Sequence, residues 1–493
     1  MNTPIVRIYA VILLLFTTLV YFTSKWAVFD AEELEGKQAN RRPLIEEQQI
    51  PRGSITSADG VLIAESNPQG GGRNPVYVRR YPEGALFGNP VGYSFVDIGR
   101  SGIESFENDI LIGEENEFAS IIDQLRDRQP AGADITLTID AETQRIATDG
   151  LASAIAANAP GPGIGGAAVA LDPNTGAVRA MASVPGYDPN VVDQPGEFSR
   201  LANAEGAPLF NRPTQAVYPP GSTMKVVTAA AALDSGEFEP DTVLNADSPK
   251  QISGAPLANS GGANFGDIDM TMALTNSVNT YWAQVGEELG TETMVEYMER
   301  FGFYSDPELD YPGDEMAASG VINADGKLVR EAFDVGRVAI GQGGAEGQDL
   351  ASALQMAEVA AAVANGGTLM KPDFLLSAKD PDGREIEELG DGDEQDEVIS
   401  EDAAAELTEM MTNVTREGTA SALSVDGVEF AGKTGTAEID VESSLNQPWF
   451  IGFAPAQDPQ VAVAVTIERC TGCFGGDVAG PIATAMMESL LDG

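Results

Sequence analysis

The sequence predicts an α+β protein in which an antiparallel sheet is covered by helices. Strand-like runs stand at both ends of a long C-terminal region, and helix-like runs lie between them. The first strand-like run is a hairpin at 166–185, where an Asp-Pro-Asn-Thr-Gly turn separates two apolar stretches. Such a turn joins two antiparallel strands. Strands at both ends of the region with helices between them indicate one antiparallel sheet that the helices cover.

The chain begins with an apolar segment. From Ile8 to Ser24 no residue is charged, which approaches the length of a bilayer-spanning helix. Arg7 precedes this segment and Lys25 follows it, so the charge bias is weak but favours an N-terminus inside the cell. The alternative is a cleaved signal peptide, but bulky residues stand where a small-residue cleavage site belongs. We therefore expect residues 1–26 to be a cytoplasmic tip and a transmembrane anchor, with the remainder outside the cytoplasm at the cell membrane.

A smaller domain is expected to follow over residues 27–150. A strand, a turn and a second strand are predicted at 51–66, and helical spacing marks 100–113. Alternating polar and apolar positions predict a strand at 133–140, which runs into a helix. At 493 residues the chain is long enough for this domain and a second, larger one at 151–493.

In the larger domain, helices are predicted at 222–235 and 350–364, and a final one at about 480–491. Strands are predicted late, at 428–439 and 459–468. A dense acidic stretch near 378–397 is interpreted as a solvated loop or surface insert.

Composition excludes several classes of function. The formal net charge of −48 argues against a nucleic-acid partner, because phosphate binding needs a basic surface. The chain has no histidine, so it cannot form a Ser-His-Asp triad or a histidine zinc site. We expect no cofactor and no metal.

The two cysteines, Cys470 and Cys473, form a single Cys-Thr-Gly-Cys stretch. Two thiols without histidine make a poor zinc site, and in an exported protein they favour a small disulfide in a turn. The alternative, a redox-active dithiol, lacks the thioredoxin-like βαβ pattern around it.

The stretch "YPPGSTMKVV" contains a candidate nucleophile, Ser222, followed by Lys225. Gly221 permits a sharp turn before a helix that has no breaker until Gly236. Residues i and i+3 share a helix face, so the amine can lie beside the hydroxyl. The helix N-terminus also brings backbone N–H groups to the place where an oxyanion forms. The alternative is a polar helix start with a surface lysine.

A second candidate is "TNSVNT", where Ser277 and Asn279 stand between two helical patterns. They offer a hydroxyl and an amide from a short connector. The alternative is simple helix capping, since both residue types favour helix ends.

The third candidate is "GKTGT", within a strand-like run. Gly435 weakens a strand unless another backbone approaches closely, for example an extended peptide added to the strand edge. Lys433, Thr434 and Thr436 would offer that ligand one cation and two hydroxyls. The alternative is a β-bulge with an exposed lysine.

Ser-x-x-Lys, Ser-x-Asn and Lys-Thr-Gly in this order are typical of penicillin-binding proteins and class A β-lactamases. Further segments resemble class B penicillin-binding proteins, namely 51–66, 99–104, 166–190, 211–226, 341–344, 364–372, 431–438 and 449–455. The resemblance covers most of residues 51–485 and is greatest to the short actinobacterial type, penicillin-binding protein A. The helix after "GQGG" departs from it by lacking the usual Thr-Pro.

This resemblance implies a transpeptidase domain at 151–493, built on a five-stranded antiparallel sheet flanked by helices. It implies a pedestal- or dimerisation-like domain at 27–150. The implied reaction is D,D-transpeptidation of peptidoglycan stem peptides ending in D-Ala-D-Ala, and β-lactam antibiotics would acylate the same serine. A separate membrane glycan polymerase is the implied partner.

The resemblance also implies the catalytic roles. Ser222 attacks the carbonyl of the penultimate D-alanine, and Lys225 accepts the serine proton. Ser277 relays a proton to the leaving amine. Backbone N–H groups of Ser222 and Thr436 form the oxyanion hole.

The remaining implied roles concern binding. Asn279 binds the substrate amide, and Lys433 holds a positive potential. In the stretch Thr434, Gly435 and Thr436, the two hydroxyls bind the terminal carboxylate.

The role of Lys225 as a base requires an unusual pKa. A free lysine titrates near ~10.4, whereas a useful base titrates near ~7–8. Burial, assisted by the cation of Lys433, can lower the pKa that far. We therefore predict a dry pocket in which Lys225 is neutral in the resting enzyme.

Two other functions are compatible with the motifs. A D,D-carboxypeptidase or β-lactamase hydrolyses the same acyl-enzyme, but a β-lactamase needs neither an anchor nor an N-terminal domain. A non-catalytic β-lactam sensor or scaffold keeps the fold, but a sensor needs further transmembrane segments. The lifetime of the penicilloyl-enzyme discriminates between hydrolase and transpeptidase.

Overall fold

The architecture comes from a computed structural model. It describes residues 2–25, 48–70, 75–113, 131–158, 161, 163–344, 346–389, 392–440 and 443–491. Residues 26–47, most of which belong to the predicted 27–150 domain, lie outside this description. Helices of the described chain are Asn2–Ser24, Gly88–Val91, Gly102–Phe106, Asn108–Ile112, Ala141–Asn158, Glu197–Ala202, Arg212–Gln215, Lys225–Asp234, Met270–Thr275, Asn279–Arg300, Val335–Val338, Ala353–Ala364, Glu401–Arg416, Gly475–Val478 and Gly480–Leu491.

The central sheet has five main strands, all paired antiparallel. In chain order they are β1 (Gly166–Leu171), β2 (Val178–Val184), β3 (Ala431–Asp440), β4 (Leu445–Ala454) and β5 (Val461–Ile467). Their spatial order is β3-β4-β5-β1-β2, so the two ends of the domain meet where β5 pairs with β1. This is the predicted sheet, with one addition: a short strand, Cys470–Thr471, pairs with the start of β4.

Helices cover the sheet on both faces, as the sequence predicts. Every residue of β5 is buried, which requires cover on each side. Ala141–Asn158 and Gly480–Leu491 pack on each other and on the sheet. Two further helices pack on the sheet. Ala353–Ala364 contacts β1, β4 and β5, and Glu401–Arg416 contacts β3. The Ser222 helix (Lys225–Asp234) packs between Glu401–Arg416 and Asn279–Arg300.

A second sheet belongs to the N-terminal part. Its strands, in spatial order, are Glu385–Glu388, Leu375–Lys379, Asp134–Leu137, Ile55–Thr56, Leu62–Gln69 and Val76–Arg80. Ile55–Thr56 and Leu62–Gln69 form the predicted early hairpin. The first two strands in this order come from residues 375–388, inside the predicted 151–493 domain, so the sheet joins segments of both predicted domains.

The acidic stretch is not a loop throughout, so that part of the interpretation was wrong. Glu385–Glu388 and Glu394–Glu397 are strands, because each pairs antiparallel with a neighbouring strand, Leu375–Lys379 and Thr368–Met370 respectively. The side chains of Glu385–Glu388 are all exposed, so the charges are solvated as expected.

The remaining strands are short. They are Ser94–Phe95, Gly99–Arg100, Leu244–Asn245, Lys250–Ile252, Ala255–Leu257, Asp267–Ile268, Gly320–Ile322, Gly343–Gly344, Gly347–Leu350 and Thr368–Met370. The predicted domain boundary at residue 150 falls inside the helix Ala141–Asn158, which packs on β2. The boundary itself stays a prediction.

The N-terminal helix, Asn2–Ser24, exposes its apolar side chains from Ile8 to Phe22. Within the residues that the structure describes, no helix meets the length and apolarity needed to cross a membrane. The predicted anchor therefore stays a prediction.

Candidate active site

A glycine turn places Ser222 at the start of its helix. Gly221 has φ +55°, and residues Gly221–Met224 form a 3-10 turn before the α-helix begins at Lys225. A Cβ on Gly221 would lie 2.8 Å from the backbone nitrogen of Ala437, so only glycine fits there. The N–H of Gly221 donates to the carbonyl of Gly341 at 2.9 Å. The turn is thus held between β3 and the "GQGG" loop.

Lys225 is fully buried and lies beside Ser222, as predicted. Its Nζ is 3.0 Å from Ser222 Oγ. It also lies 2.8 Å from the carbonyl oxygen of Ser277 and 2.7 Å from Asn279 Oδ1. These two oxygens only accept hydrogen bonds, so in a neutral amine they occupy both N–H groups. The lone pair is then left for the Ser222 hydroxyl.

The connector holding Ser277 and Asn279 reaches this amine from the neighbouring helices. Ser277 has φ +56°, a left-handed conformation that is uncommon outside glycine. That conformation turns both its carbonyl and its hydroxyl toward the lysines, with Oγ 3.2 Å from Lys225 Nζ. The capping interpretation was wrong, because the helix Asn279–Arg300 is preceded by Val278 and has no side-chain cap.

Lys433 enters from β3 and is also fully buried. Its Nζ donates to Ser277 Oγ at 2.9 Å and to the carbonyl of Thr434 at 2.9 Å. The interpretation of an exposed lysine on a bulge was wrong. The Ser277 hydroxyl therefore lies between two lysine amines.

Burial governs the charge state of both amines. Burial, followed by the nearby cation of Lys433, holds the pKa of Lys225 well below its usual value. Burial lowers the pKa of Lys433 to about 7. Burial thus favours the neutral form of both amines, which is the direction that a Lys225 base requires.

Gly435 is needed for packing inside the protein. A Cβ there would lie 2.9 Å from the Pro220 carbonyl, from Thr223 Cγ2 and from Trp449 Cβ. The group that approaches this strand is therefore the Ser222 turn. No bulge occurs at this point, since Gly435 pairs in regular register with Trp449. Among the described strands, β3 is the edge of the central sheet, which leaves its other side open to an added strand.

The threonines on either side of Gly435 have partners that sequence reasoning missed. Thr434 Oγ1 lies 2.7 Å from Thr419 Oγ1, and Thr436 Oγ1 accepts a hydrogen bond from the N–H of Gly475 at 3.3 Å. Neither partner stands in a motif. Thr419 is a small polar residue just after a helix, so no local pattern marks it.

Two protein families match the chain. The family "Penicillin binding protein transpeptidase domain" matches residues 166–488, and "Penicillin binding protein A dimerisation domain" matches residues 52–135. The chain is 33% identical to peptidoglycan D,D-transpeptidase PbpA of Mycobacterium tuberculosis, in an alignment of 511 positions that covers 100% of each chain. It is also 33% identical to PbpA of Mycolicibacterium smegmatis, over 100% of this chain and 99% of the relative.

Solved structures give the same result. The imipenem acyl-enzyme complex of penicillin-binding protein A from M. tuberculosis has a TM-score of 0.78 and 31% identity, with 91% of this chain and 100% of that chain covered. The penicillin G acyl-enzyme complex of the same protein has a TM-score of 0.78 and 32% identity, with coverage of 90% and 100%.

Proposed function

Because the chain belongs to the class B penicillin-binding transpeptidases, we propose that it cross-links peptidoglycan stem peptides through an acyl-enzyme on Ser222. One observation carries this proposal: Ser222 Oγ lies 3.0 Å from the amine of Lys225, whose pKa burial holds well below its usual value. With no histidine in the chain, this amine is the base within reach of the hydroxyl.

In acylation, the Ser222 hydroxyl gives its proton to Lys225 as Oγ attacks the carbonyl of the penultimate D-alanine. Backbone N–H groups of Ser222 and Thr436 stabilise the oxyanion. The proton then passes through the Ser277 hydroxyl to the departing nitrogen, and D-alanine leaves as an amine. The distance of 3.2 Å from Lys225 Nζ to Ser277 Oγ supports this path, and Lys433 Nζ, which donates to Ser277 Oγ at 2.9 Å, orients that hydroxyl.

Substrate binding follows from the same arrangement. The donor peptide would add to the open edge of β3, with its terminal carboxylate at Thr434 and Thr436 and near Lys433. Asn279 Oδ1 accepts a hydrogen bond from Lys225, and its Nδ2 donates to the carbonyl of Ala258 at 3.3 Å. The amide has a second N–H, which can donate to a substrate carbonyl. An amine from a second stem peptide then attacks the ester and forms the cross-link. β-Lactams acylate Ser222 in place of the donor.

We further propose that the chain is anchored in the cell membrane by a single pass and works with a membrane glycan polymerase. The anchor is supported by the uncharged stretch from Ile8 to Ser24, whose apolar side chains from Ile8 to Phe22 are exposed. The polymerase partner is what the resemblance to class B penicillin-binding proteins implies. Membrane fractionation tests the anchor: the full chain should sediment with membranes, and a chain that begins at residue 27 should not.

Mass spectrometry after exposure to benzylpenicillin tests the nucleophile. We expect one penicilloyl adduct on Ser222, no adduct on Ser222→Ala, and acylation slowed at least about 100-fold in Lys225→Ala because general-base catalysis contributes that much. An adduct that persists in Ser222→Ala would contradict the proposal. An adduct lost within seconds would indicate a hydrolase, whereas one that lasts for hours agrees with a transpeptidase.

A further inference from the structure

The two cysteines form a disulfide beside the edge of the active site. Cys470 and Cys473 are bonded to each other, as the sequence favoured, directly after β5. Cys470–Thr471 pairs with Leu445–Asn446 at the start of β4, and Asn446 Nδ2 donates to the carbonyl of Cys473 at 3.0 Å. Both ends of this four-residue loop are therefore held against β4.

The backbone that leaves the loop reaches the carboxylate-binding strand. Two residues after Cys473, the N–H of Gly475 donates to Thr436 Oγ1 at 3.3 Å. A Cβ on Gly475 would lie 2.0 Å from the carbonyl oxygen of Trp449 and 2.5 Å from that of Gly435. Gly475 thus lies in backbone contact with β3 and β4 at the level of the Lys-Thr-Gly motif.

This contact decides what the Thr436 hydroxyl can do. An oxygen that accepts a hydrogen bond from Gly475 keeps its own O–H free to donate elsewhere. A hydroxyl that donates to a carboxylate makes a charge-assisted hydrogen bond, which is stronger than a neutral one. Without the Gly475 N–H, the hydroxyl rotates freely and loses part of this directed donation.

We propose that the Cys470–Cys473 disulfide is a positioning element for Thr436, and that its reduction weakens recognition of the substrate carboxylate. This proposal rests on the proposed function, in which Thr436 binds that carboxylate. In the reduction, a dithiol gives two hydrogens to the two sulfurs, the Cys470–Cys473 bond breaks, and the dithiol closes to its own cyclic disulfide. Once the bond is broken, the Cys470–Thr471 ladder and the Asn446 hydrogen bond still hold the loop on β4, but Gly475 is positioned less firmly against β3.

The test compares two β-lactams on the full chain: benzylpenicillin, which carries the carboxylate, and its methyl ester, which does not. In Cys470→Ser/Cys473→Ser we expect acylation by benzylpenicillin to slow about tenfold, the size expected for one weakened hydrogen bond to a charged group. Acylation by the ester should change less than about twofold. Dithiothreitol should reproduce the effect on the native chain and leave the double variant unchanged.

Repeating the cysteine substitutions in the Thr436→Val variant tests whether the disulfide acts through the Thr436 hydroxyl. If the disulfide acts through Thr436, its removal from Thr436→Val should have little further effect on benzylpenicillin acylation. Equal slowing of acid and ester, or an undiminished effect in Thr436→Val, would overturn the proposal. So would a fall in Tm with no change in either acylation rate. Failure of the proposed function is distinguishable, because the native oxidised chain would then not be acylated on Ser222 at all.

Discussion

Two buried lysines share one serine hydroxyl in this site, and they differ in what lowers the pKa of each. Burial acts on both, but only Lys225 is further lowered by the other cation. Burial lowers the pKa of Lys433 to about 7, close to neutral pH. A bound carboxylate would raise the pKa of Lys433 and restore its charge. That charge in turn lowers the pKa of Lys225 and so favours its neutral form when the substrate is present.

Lys433→Ala tests this coupling through the pH dependence of acylation. Lys225 acts as a base only when neutral, so acylation should fall as pH drops through its pKa, which burial holds well below the usual value of 10.5. Removing the second cation lets Lys225 keep its proton to higher pH, so the acid limb should move upward in pH. The measurement is the acylation rate with benzylpenicillin methyl ester, which avoids the carboxylate contact.

Lys371→Ala is the matched control, because its amine pairs with Asp310 at the surface at 2.9 Å. Its pH profile should equal that of the native chain. A native acid limb at the usual lysine pKa of 10.5, or an unmoved limb in Lys433→Ala, would show that Lys225 is not a buried neutral base.

At the scale of elements, the site depends on the contact between β3 and the Ser222 turn. Gly435 on the strand and Gly221 on the turn let the two backbones approach, and the indole N–H of Trp449 donates to the carbonyl of Pro219 at 2.9 Å. This contact brings the Lys-Thr-Gly strand to the nucleophile. The turn and the strand are separated by some two hundred residues, so their distance is set by packing.

Gly435→Ala should therefore damage both stability and activity. The added methyl lies 2.9 Å from three neighbours, and such overpacking costs about 1–3 kcal/mol in the free energy of unfolding. Acylation should slow more than about tenfold, because small displacements of reacting groups are costly. Urea unfolding and benzylpenicillin acylation measure the two effects.

Gly313→Ala is the control, since a Cβ there meets nothing within 4 Å. It should leave both the unfolding free energy and the acylation rate unchanged. Native acylation in Gly435→Ala would mean that the strand and the turn do not need this approach.

At the scale of the whole molecule, buried acids make stability depend on pH. Burial raises the pKa of Asp349 well above its usual value, and neither of its carboxylate oxygens has a partner among the described residues. Burial, followed by the charge of Glu308, raises the pKa of Glu358 to about 8. Because the pKa of Glu358 is raised in the folded state, its contribution to stability is fully present below the usual pKa of 4.5. This contribution is lost as pH rises toward 8. The net charge of −48 adds self-repulsion over the same range.

Glu358→Gln should remove part of this dependence. The amide has no proton to lose, so the difference in unfolding free energy between variant and native chain should grow with pH between about 4.5 and 8. The slope of that difference is at most about 1.4 kcal/mol per pH unit. Urea unfolding at a series of pH values measures it.

Glu385→Gln, at an exposed position, is the control with the same change of side chain. Its difference from the native chain should not vary with pH as that of Glu358→Gln does. A Glu358→Gln difference that stays constant from pH 5 to pH 8 would mean that Glu358 is not held protonated.

Most local elements of this protein could be predicted from the sequence, because their rules act over short spans. The 166–185 hairpin, the helix that follows Ser222 and the spacing of Lys225 one turn later depend only on neighbouring residues. The acidic strand Glu385–Glu388 was missed because its ladder partner, not its own composition, makes it a strand. The disulfide followed from two cysteines three residues apart in a chain without histidine.

By itself, the sequence determined which chemical groups are present and which lie on one helical turn, and the absence of histidine restricted the candidate base to a lysine. Only the tertiary structure decided the electrostatic state of that lysine. The carbonyl of Ser277 and the amide of Asn279 reach Lys225 from 52 and 54 residues away, and Lys433 comes from still farther along the chain. Dehydration of an amine depends on every element packed around it, and no spacing rule within one helix reports that packing.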